Sequence, residues 1–310
     1  HFSSVLRLIG NFRYETNKII YTGTYLGYDA ALPPVKFDLE HGMLGFKGAF
    51  QYQDDNFTSY YLSFAQGYKS GGVNQQPFLA EKNRPFRPEY IQNVEMGFKK
   101  MMDNYSDRLT VFIGNRRNQQ VSVSSQQVLG DPNSFYYFTS NTGSGQLGGL
   151  EWDHDHVITS NIRLTASLGY LDTKVEEFSY QMDSTTIGIS TTIGIGGNKA
   201  AAMAPKLTGS FGFDWRDESG LFARTDLTYK DNYYFSDSHN QISNSYFLIN
   251  LSFGKTIDAA TITFWARNIF DKRYAIRGFY FGLIPPDYPD ELWLSYGDPR
   301  QIGLTFDYKL

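Results

Sequence analysis

The 310-residue sequence contains no cysteine, so it has no disulfide framework, no thiolate metal site and no cysteine nucleophile. Charged residues make up only 19% of the chain, the net charge is -4, and no basic block stands out. This charge pattern argues against a nucleic-acid partner. No apolar run approaches the roughly 18–20 residues of a membrane helix, so a helical membrane protein is excluded. A membrane β-barrel is not excluded, because its strands alternate in polarity and escape a hydropathy search.

Aromatic residues are abundant. Tyr, Phe and Trp together make up 17% of the chain, and there are 29 glycines. A chain this aromatic and this apolar is not a disordered segment. It also lacks the helical periodicity of a coiled coil.

Period-two alternation recurs from end to end and predicts an all-β, antiparallel protein. At the C-terminus, Ile302, Leu304, Phe306, Tyr308 and Leu310 share one face, and polar residues lie between them. The same pattern predicts about twelve strands, near residues 3–14, 44–54, 57–68, 88–102, 106–126, 136–156, 160–175, 204–216, 219–233, 244–256, 259–276 and 296–310.

The predicted connections alternate between short polar turns and long loops. The long loops are predicted at 15–43, 69–87, 127–135, 177–203, 234–243 and 277–295. Short turns at one end and long loops at the other are typical of a transmembrane β-barrel of the outer membrane, and they place the C-terminus at the periplasmic end. Within the 177–203 loop a hexamer repeats in tandem, Ser184–Ile189 and Ser190–Ile195, which predicts a flexible or hairpin-forming tip.

Two motifs suggest chemistry but lack the required context. Gly143–Gly148 spells G-x-G-x-x-G, yet a strand pattern follows it where a dinucleotide site needs a helix N-terminus. In the segment 153–156, His154 and His156 share one face of a strand, but no third metal ligand is visible nearby. The sequence therefore predicts no metal site and no cofactor.

The sequence gives no positive evidence for catalysis. It contains only five histidines, and no G-x-S-x-G elbow accompanies them. The carboxylates are scattered, and nothing singles out a pair for glycoside hydrolysis. We therefore predict that the chain is not an enzyme.

The candidate ligand-binding residues lie in one predicted long loop and at the strand end before it. They are Tyr233, Tyr234, Phe235, Asp237 and His239. Loop aromatics can hold a bulky organic ligand by stacking and burial. The alternative for the three aromatics is the girdle at the membrane interface. For the later aromatic run 279–281, a girdle or a loop-packing role is favoured.

Several segments, taken in order, resemble the C-terminal part of the TonB-dependent outer-membrane receptors. Tyr61–Gly72 resembles that family's "sYseGyksGG" segment, and Arg87-Pro88-Glu89 followed by 93–99 resembles "rPE…nyElGlK". The others are Asn141-Thr142-Gly143 with Gly148–Glu151 ("NaG…kGvE"), Ala204-Pro205-Lys206 ("aPk"), Arg267–Tyr274 ("rNLfDkrY") and Gly297–Arg300 ("gePR"). Together they span roughly residues 55–310, and we expect them to be scaffold residues.

The resemblance implies a barrel of 22 strands with a plugged lumen, of which residues 1–310 would supply about the last twelve. The plug domain and the energy-coupling peptide have no counterpart, so the chain is expected to be the C-terminal portion of a receptor. One departure is Leu310, where family members usually end in an aromatic residue.

The implied function is TonB-energised uptake of a scarce nutrient across the bacterial outer membrane. A ferric siderophore or related iron complex is the expected ligand, and TonB (through the missing plug region) and outer-membrane lipid are the expected partners. The alternative is a passive channel or a surface adhesin on a small complete barrel. A secreted β-sheet binding module or glycan-active enzyme is a third possibility, which the alternation of turn lengths disfavours.

Overall fold

The computed structural model describes residues 5–26, 31–54, 57–77, 79–126, 135–183, 192–289 and 291–309. Twenty strands and one 3-10 turn, Glu81–Asn83, make up its regular structure. The strands are β1 (Val5–Leu26), β2 (Ala31–Gln53), β3 (Thr58–Lys69), β4 (Gly72–Val73), β5 (Pro85–Phe86), β6 (Glu89–Met101), β7 (Tyr105–Arg117), β8 (Gln120–Gln126), β9 (Phe135–Asn141), β10 (Ser144–Thr159), β11 (Ile162–Val175), β12 (Phe178–Asp183), β13 (Thr192–Gly196), β14 (Leu207–Arg216), β15 (Leu221–Lys230), β16 (Tyr246–Ile257), β17 (Ala260–Arg267), β18 (Ala275–Phe281), β19 (Glu291–Tyr296) and β20 (Gln301–Tyr308).

Twelve of these strands form one antiparallel sheet, which we call the wall. Its order is β1-β2-β3-β6-β7-β10-β11-β14-β15-β16-β17-β20, so wall strands that follow one another along the chain lie side by side. The prediction of an all-β antiparallel protein with about twelve long strands is confirmed. Within the described ranges, no helix is long and apolar enough to cross a membrane.

The wall has one apolar face and one polar face. Residues paired across antiparallel strands point to the same side, so the pairs Leu62↔Met96 and Met96↔Val111 continue one apolar row across three strands. Large apolar side chains on this face are exposed, including Leu8, Phe12, Phe50, Leu62, Met96, Ile113, Phe211, Phe253, Leu304 and Phe306. A soluble sheet would bury such a face against a core, whereas a membrane sheet turns it toward lipid.

The opposite face is polar and is cross-linked by ion pairs. Arg108 of β7 binds Asp153 of β10 at 2.6 Å, and Arg163 of β11 binds Asp155 of β10. Tyr61 donates a hydrogen bond to Glu95 at 2.8 Å on the same face. These polar side chains would be unfavourable in hydrocarbon, so this face is the inner one.

The other eight strands form four two-stranded ribbons in segments that connect wall strands. The ribbons are β4–β5, β8–β9, β12–β13 and β18–β19. Three predicted wall strands, 106–126, 136–156 and 259–276, are therefore wrong in their limits, because each is divided between the wall and a ribbon. The chain turns at Asn118 and Asn268, where φ is 51° and 46°, and between β9 and β10 at Thr142-Gly143. A left-handed residue ends a regular strand, and asparagine tolerates that conformation better than most residues.

The predicted loop 15–43 is also wrong, because β1 and β2 run through most of it. They are 22 and 23 residues long, and their pairing extends from Val5↔Gln53 to Leu26↔Ala31. Exposure alternates along 15–24, but both faces carry polar residues there, so hydropathy does not alternate. About 9–11 residues cross a bilayer, so this hairpin projects well beyond it.

Two other predicted loop features lie partly or wholly outside the described residues. These are residues 127–134 of the 127–135 loop and residues 184–191 of the tandem hexamer. The described end of the hexamer belongs to β13, which pairs with β12.

A buried hydrophobic cluster lies among the ribbons and at the end of wall strand β11. It consists of Leu79, Val121, Val123, Phe138, Val175, Phe178 and Tyr180, each at most 9% exposed. Hydrogen bonds join the same segments: Asn74 bonds both the amide and the carbonyl of Thr139, at 2.9 and 2.8 Å. The Ala80 amide donates to the Gln181 side chain at 2.9 Å. The connecting segments therefore pack together as one unit, which we call the loop layer.

The loop layer folds over the inner face of the wall. Asn17, on the inner face of β1, donates to the Ser70 hydroxyl at 2.6 Å. The Arg84 guanidinium lies over the rings of Tyr21 and Phe37, at 5.7 and 5.8 Å. These contacts place the loop layer on the polar side of the sheet and leave the apolar face uncovered by described residues.

Aromatic side chains on the inner face cover glycines of the neighbouring strand. Tyr61 lies over Gly97, Phe112 over Gly149, Phe222 over Gly254 and Trp265 over Gly303. Because the glycine has no side chain, the aromatic ring of the paired residue can lie over it. This packing fixes the register of the two strands without filling the interior. The sheet thus gains packing on a face that has no continuous core.

We predict that Gly97→Ala destabilises the wall. A methyl group at Gly97 would collide with the Leu109 carbonyl oxygen and the Tyr61 ring. Overpacking of this kind costs about 1–3 kcal/mol. The free energy of unfolding in urea, measured in lipid vesicles, should fall by that amount. Gly48→Ala is the control, because a Cβ at Gly48 has no atom within 4 Å. Equal effects of the two substitutions would contradict the assigned packing.

Candidate ligand site in the loop layer

A cavity of about 480 Å³ lies between five segments of the loop layer. That volume falls within the range of small-molecule sites. Its lining is Ser122 and Ser124 of β8, Tyr137 of β9, Ala202 and Met203, then Phe235, Ser236, Asp237, His239 and Gln241, and finally Arg277, Gly278, Phe279 and Tyr280 of β18. Three of the five predicted binding residues line this cavity: Phe235, Asp237 and His239. Tyr233 and Tyr234 do not.

Tyr233 lies outside the cavity lining and connects two segments that form the site. It is 4% exposed, and its hydroxyl donates to the carbonyl of Ile276 at 3.0 Å. Its amide donates to the Ser243 hydroxyl at 3.0 Å, and its carbonyl accepts from the Ser243 amide at 2.8 Å. Burial raises the pKa of the Tyr233 hydroxyl. Tyr233 therefore links the 233–243 segment to β18.

Tyr234 contacts the neighbouring segment, not the cavity. The Lys199 ammonium lies 4.8 Å from the centre of its ring, which is the geometry of a cation–π contact. Its carbonyl accepts a hydrogen bond from the Met203 amide at 2.9 Å. Tyr234 therefore positions the 199–203 segment that forms one side of the site.

Phe235 forms an apolar wall of the cavity. Its ring packs against Gly278 so closely that a Cβ on that glycine would lie 2.6 Å from it. It also contacts the Tyr233 ring edge-on, with centroids 5.8 Å apart. Because β18 carries a glycine at this position, the ring sits flat on the backbone.

Asp237 is the half-buried acidic group of the site. Its carboxylate accepts a hydrogen bond from the Ala202 amide at 2.8 Å, and its carbonyl accepts from the Gly197 amide at 3.0 Å. Burial raises the pKa of the carboxyl, and the Ala202 amide, Lys199 and Arg116 oppose that rise. Asp237 thus ties two loop segments together while it faces the cavity.

Lys199 is a half-buried cation near Asp237. Its ammonium donates to the carbonyl of His239, and to the side chain of Asn240 at 3.2 Å. Burial lowers the pKa of this ammonium, and the nearby Asp237 opposes the change. A partly buried acid–base pair therefore supports the segment that carries His239.

His239 presents a flat aromatic surface. Its ring stacks on Tyr280 with centroids 4.3 Å apart and planes within 6°. Its Nδ1 lies 3.1 Å from the Ser238 hydroxyl. The predicted packing role of the 279–281 aromatics fits Tyr280 in this stack and Phe281, whose ring contacts Phe135 at 5.2 Å.

Arg277 and the two serines of β8 were not identified from the sequence. Arg277 is an exposed cation at the cavity, and a guanidinium is well suited to carboxylate or phosphate groups. Ser122 and Ser124 fell inside a predicted wall strand, so nothing marked them as site residues. Only the break at Asn118 brings them into the loop layer.

A larger cavity, of about 870 Å³, lies elsewhere in the loop layer. It is bounded by the 80–87 segment, by β9 and by the β12–β13 ribbon. Charged and amide groups from Glu81, Lys82, Arg87, Asn141 and Gln181 line it. None of the five residues predicted from the sequence reaches this second cavity.

The 153–156 segment lies in the wall, away from both cavities. His154 and His156 share one face of β10, as predicted, and Asp153 and Asp155 share the other. His154 Nδ1 lies 2.8 Å from Asp107. Within the described part of the chain, no three metal-ligating side chains are grouped. The G-x-G-x-x-G motif continues into strand β10, so it does not open a helix.

The comparison with family models decides the classification. Residues 1–269 match the model described as "TonB dependent receptor-like, beta-barrel". The chain belongs to this family. The resemblance seen in the sequence motifs is therefore confirmed.

Solved receptors share the fold at low sequence identity. The ferric yersiniabactin uptake receptor FyuA from Yersinia pestis aligns with a TM-score of 0.74 and 16% identity, over 98% of this chain and 43% of that one. The siderophore receptor PiuA from Acinetobacter baumannii gives 0.69 and 16%, over 98% and 42%. The copper transporter OprC gives 0.71 and 14%, over 98% and 45%. The chain spans less than half the length of each of these structures.

Polar residues from three motifs typical of the TonB-dependent receptor family stabilise turns and strand ends in this chain. Asn268 binds the backbone of Lys272 through both side-chain atoms, at 2.8 and 3.0 Å, and reaches the Asp298 carbonyl at 3.1 Å. Glu89 accepts from the Gln120 amide at 2.9 Å, and Asn141 accepts from the Arg87 amide at 2.7 Å. These residues act as scaffold, as expected from the sequence.

We predict that Asp237 controls opening of the 199–203 segment. Asp237→Ala leaves the Ala202 amide without its acceptor, which costs about 1 kcal/mol or more. Asp237→Asn keeps an acceptor oxygen there and should cost less. Hydrogen exchange at the Ala202 amide, corrected for intrinsic rate, reports the difference. Equal protection in the wild type and the alanine variant would contradict the role.

The pH dependence of this opening has a definite sign. The pKa of the Asp237 carboxyl is higher in the folded state than the ordinary aspartate value of about 3.9. The protonated carboxyl therefore stabilises the closed segment fully when the pH is below that ordinary value. This stabilisation is lost as the pH rises through the raised pKa of the folded state. Protection of Ala202 should therefore decrease across that window in the wild type. Asp237→Asn should remove this step.

Proposed function

We propose that this chain is the ligand-receiving part of an outer-membrane receptor that takes up a ferric siderophore or a related iron complex with energy supplied through TonB. The observation that carries the proposal is the 480 Å³ cavity in the loop layer, with stacked aromatic rings on one side and Arg277 at its edge. Receptors of this family are located in the Gram-negative outer membrane.

The chemistry of the cavity suits a bulky anionic complex. Phe235, Phe279 and the His239–Tyr280 stack offer flat apolar surfaces, on which aromatic groups of a ligand can lie. Arg277 can pair with anionic oxygens on the outside of the complex. Two structural relatives, FyuA and PiuA, are named as receptors for ferric yersiniabactin and for a siderophore.

The packed loop layer supports a receptor over a passive channel. A channel needs an open lumen, whereas the described loop segments contact the inner face of β1 and β2 and bury a hydrophobic cluster among themselves. A cavity held between such segments can bind one ligand and change when they separate.

The test is uptake of ⁵⁵Fe complexes by the native protein in its own bacterium. Saturable uptake that is lost in a strain without TonB is the expected result. Arg277→Glu should weaken binding of an anionic ferric siderophore about tenfold or more, because a hydrogen bond to a charged group contributes about 1.5–3 kcal/mol. Lys36→Glu is the control, because Lys36 is an exposed cation outside the cavity lining.

Two outcomes would overturn the proposal. Uptake that rises linearly with concentration and does not need TonB would indicate the passive channel. Saturable uptake of copper with no response to iron complexes would assign a different cargo, in line with the similarity to OprC.

A further inference from the structure

The apolar face of the wall carries a groove that is separate from the loop layer. It has a volume of about 510 Å³ and is formed by β2, β3, β6 and β7. On the apolar face its lining residues are Phe50, Tyr60, Leu62, Met96, Phe98, Leu109 and Val111. Polar atoms contribute almost nothing to this surface, so the groove suits a hydrocarbon chain.

The groove lies near the end of the sheet that carries the short turns. Phe98 and Lys100 are two residues apart on one face of β6, so their Cα atoms are separated by about 7 Å along the strand. Lys100 pairs in register with Thr58 and Asp107, next to the turn at 102–104. A chain lying in the groove would therefore reach Lys100 just before it left the sheet.

The charges around the mouth of the groove have both signs. The Lys100 ammonium lies 5.5 Å from the centre of the Tyr105 ring. Asp107 is its register partner and binds His154, and Asp54 lies within electrostatic reach of Lys100. An ammonium has three donors, so Lys100 can bind a phosphate beside its aromatic contact. The two carboxylates would repel a lipid with a net negative charge and attract an ammonium group.

Aromatic rings near the mouth of the groove indicate its position relative to the bilayer surface. Tyr60 stacks beside Tyr52 at 6.4 Å and contacts Phe98 at 6.4 Å, and Trp152 stacks on His154 at 5.7 Å. Tyrosine and tryptophan concentrate where hydrocarbon meets headgroups. Lys100 is therefore placed at the headgroup level, and the groove extends into the hydrocarbon.

We propose that this groove binds one phosphatidylethanolamine molecule of the periplasmic leaflet. One acyl chain occupies the groove, the phosphate contacts Lys100, and the ethanolamine ammonium faces Asp54 and Asp107. The inference rests on the membrane location in the proposed function, but not on the identity of the transported ligand. It assigns a lipid site to a face that otherwise has only general contact with the bilayer.

The test is native mass spectrometry of the detergent-purified native protein, offered equal amounts of phosphatidylethanolamine, phosphatidylglycerol and lipopolysaccharide. We expect one retained phosphatidylethanolamine. Met96→Trp, which fills the groove, and Lys100→Glu, which reverses the charge at its mouth, should each reduce retention about tenfold. Val111→Phe fills the same groove from β7 and serves if Met96→Trp does not fold.

Two matched controls address the lipid-facing surface as a whole. Leu304→Trp places the same large ring on an exposed apolar position of β20, and Lys255→Glu reverses a charge on β16, outside the groove. Both should retain lipid like the wild type. Retention that is unchanged in the groove variants, equal for all lipids, or selective for phosphatidylglycerol or lipopolysaccharide would overturn the proposal. Iron uptake is measured separately, so its failure does not affect this result.

Discussion

The continuous hydrogen-bond ladder of the twelve wall strands is the constraint on which the rest of the structure depends. In hydrocarbon each unpaired backbone group costs several kcal/mol, so a membrane strand must find its partners in neighbouring strands. The sequential order of the wall gives every wall strand a partner on both sides except the two end strands, β1 and β20, which each pair on one side. Side-chain alternation then follows from the strand geometry, and each strand presents one face to lipid and one to the interior.

The loop layer supplies the buried packing that a rigid site needs, because the wall has no hydrophobic core of its own. On the wall's polar inner face, neighbouring strands are joined by ion pairs and by aromatic rings that lie over glycines. Among the described residues, a buried hydrophobic cluster is found instead where ribbons and connecting segments meet. Asp237, Tyr233 and Gln181 bond backbone groups of neighbouring segments, so the cavity walls hold one another in place.

The sequence predicts the wall well because alternation there has a direct physical cause. Residues such as Ile302, Leu304 and Phe306 alternate with polar residues because lipid and interior demand opposite polarity. The prediction fails at 15–43, since the extended hairpin has polar residues on both faces and leaves no hydropathy signal. It also fails at 106–126, because the left-handed Asn118 interrupts a run whose composition is uniformly strand-like.

The site is predictable only in part. Phe235, Asp237 and His239 stand close together in one loop, and that clustering made them candidates. Arg277, Ser122 and Ser124 come from two other segments, and only the tertiary fold brings them to the same cavity. The sequence predicts Tyr233 as a binding residue because of its aromatic ring. In the structure its buried hydroxyl bonds the β18 backbone, so Tyr233 connects segments of the site.

The central claim is that the apolar face of the wall meets lipid while the opposite, polar face is turned to the interior. The chain has no cysteine, so a single introduced cysteine can carry a nitroxide spin label without background. Labels at Ile113→Cys and Leu304→Cys should show high collision rates with oxygen and low rates with a water-soluble nickel complex. Labels at Thr110→Cys and Ser210→Cys should not show high oxygen accessibility. Equal oxygen accessibility at all four positions would contradict the account.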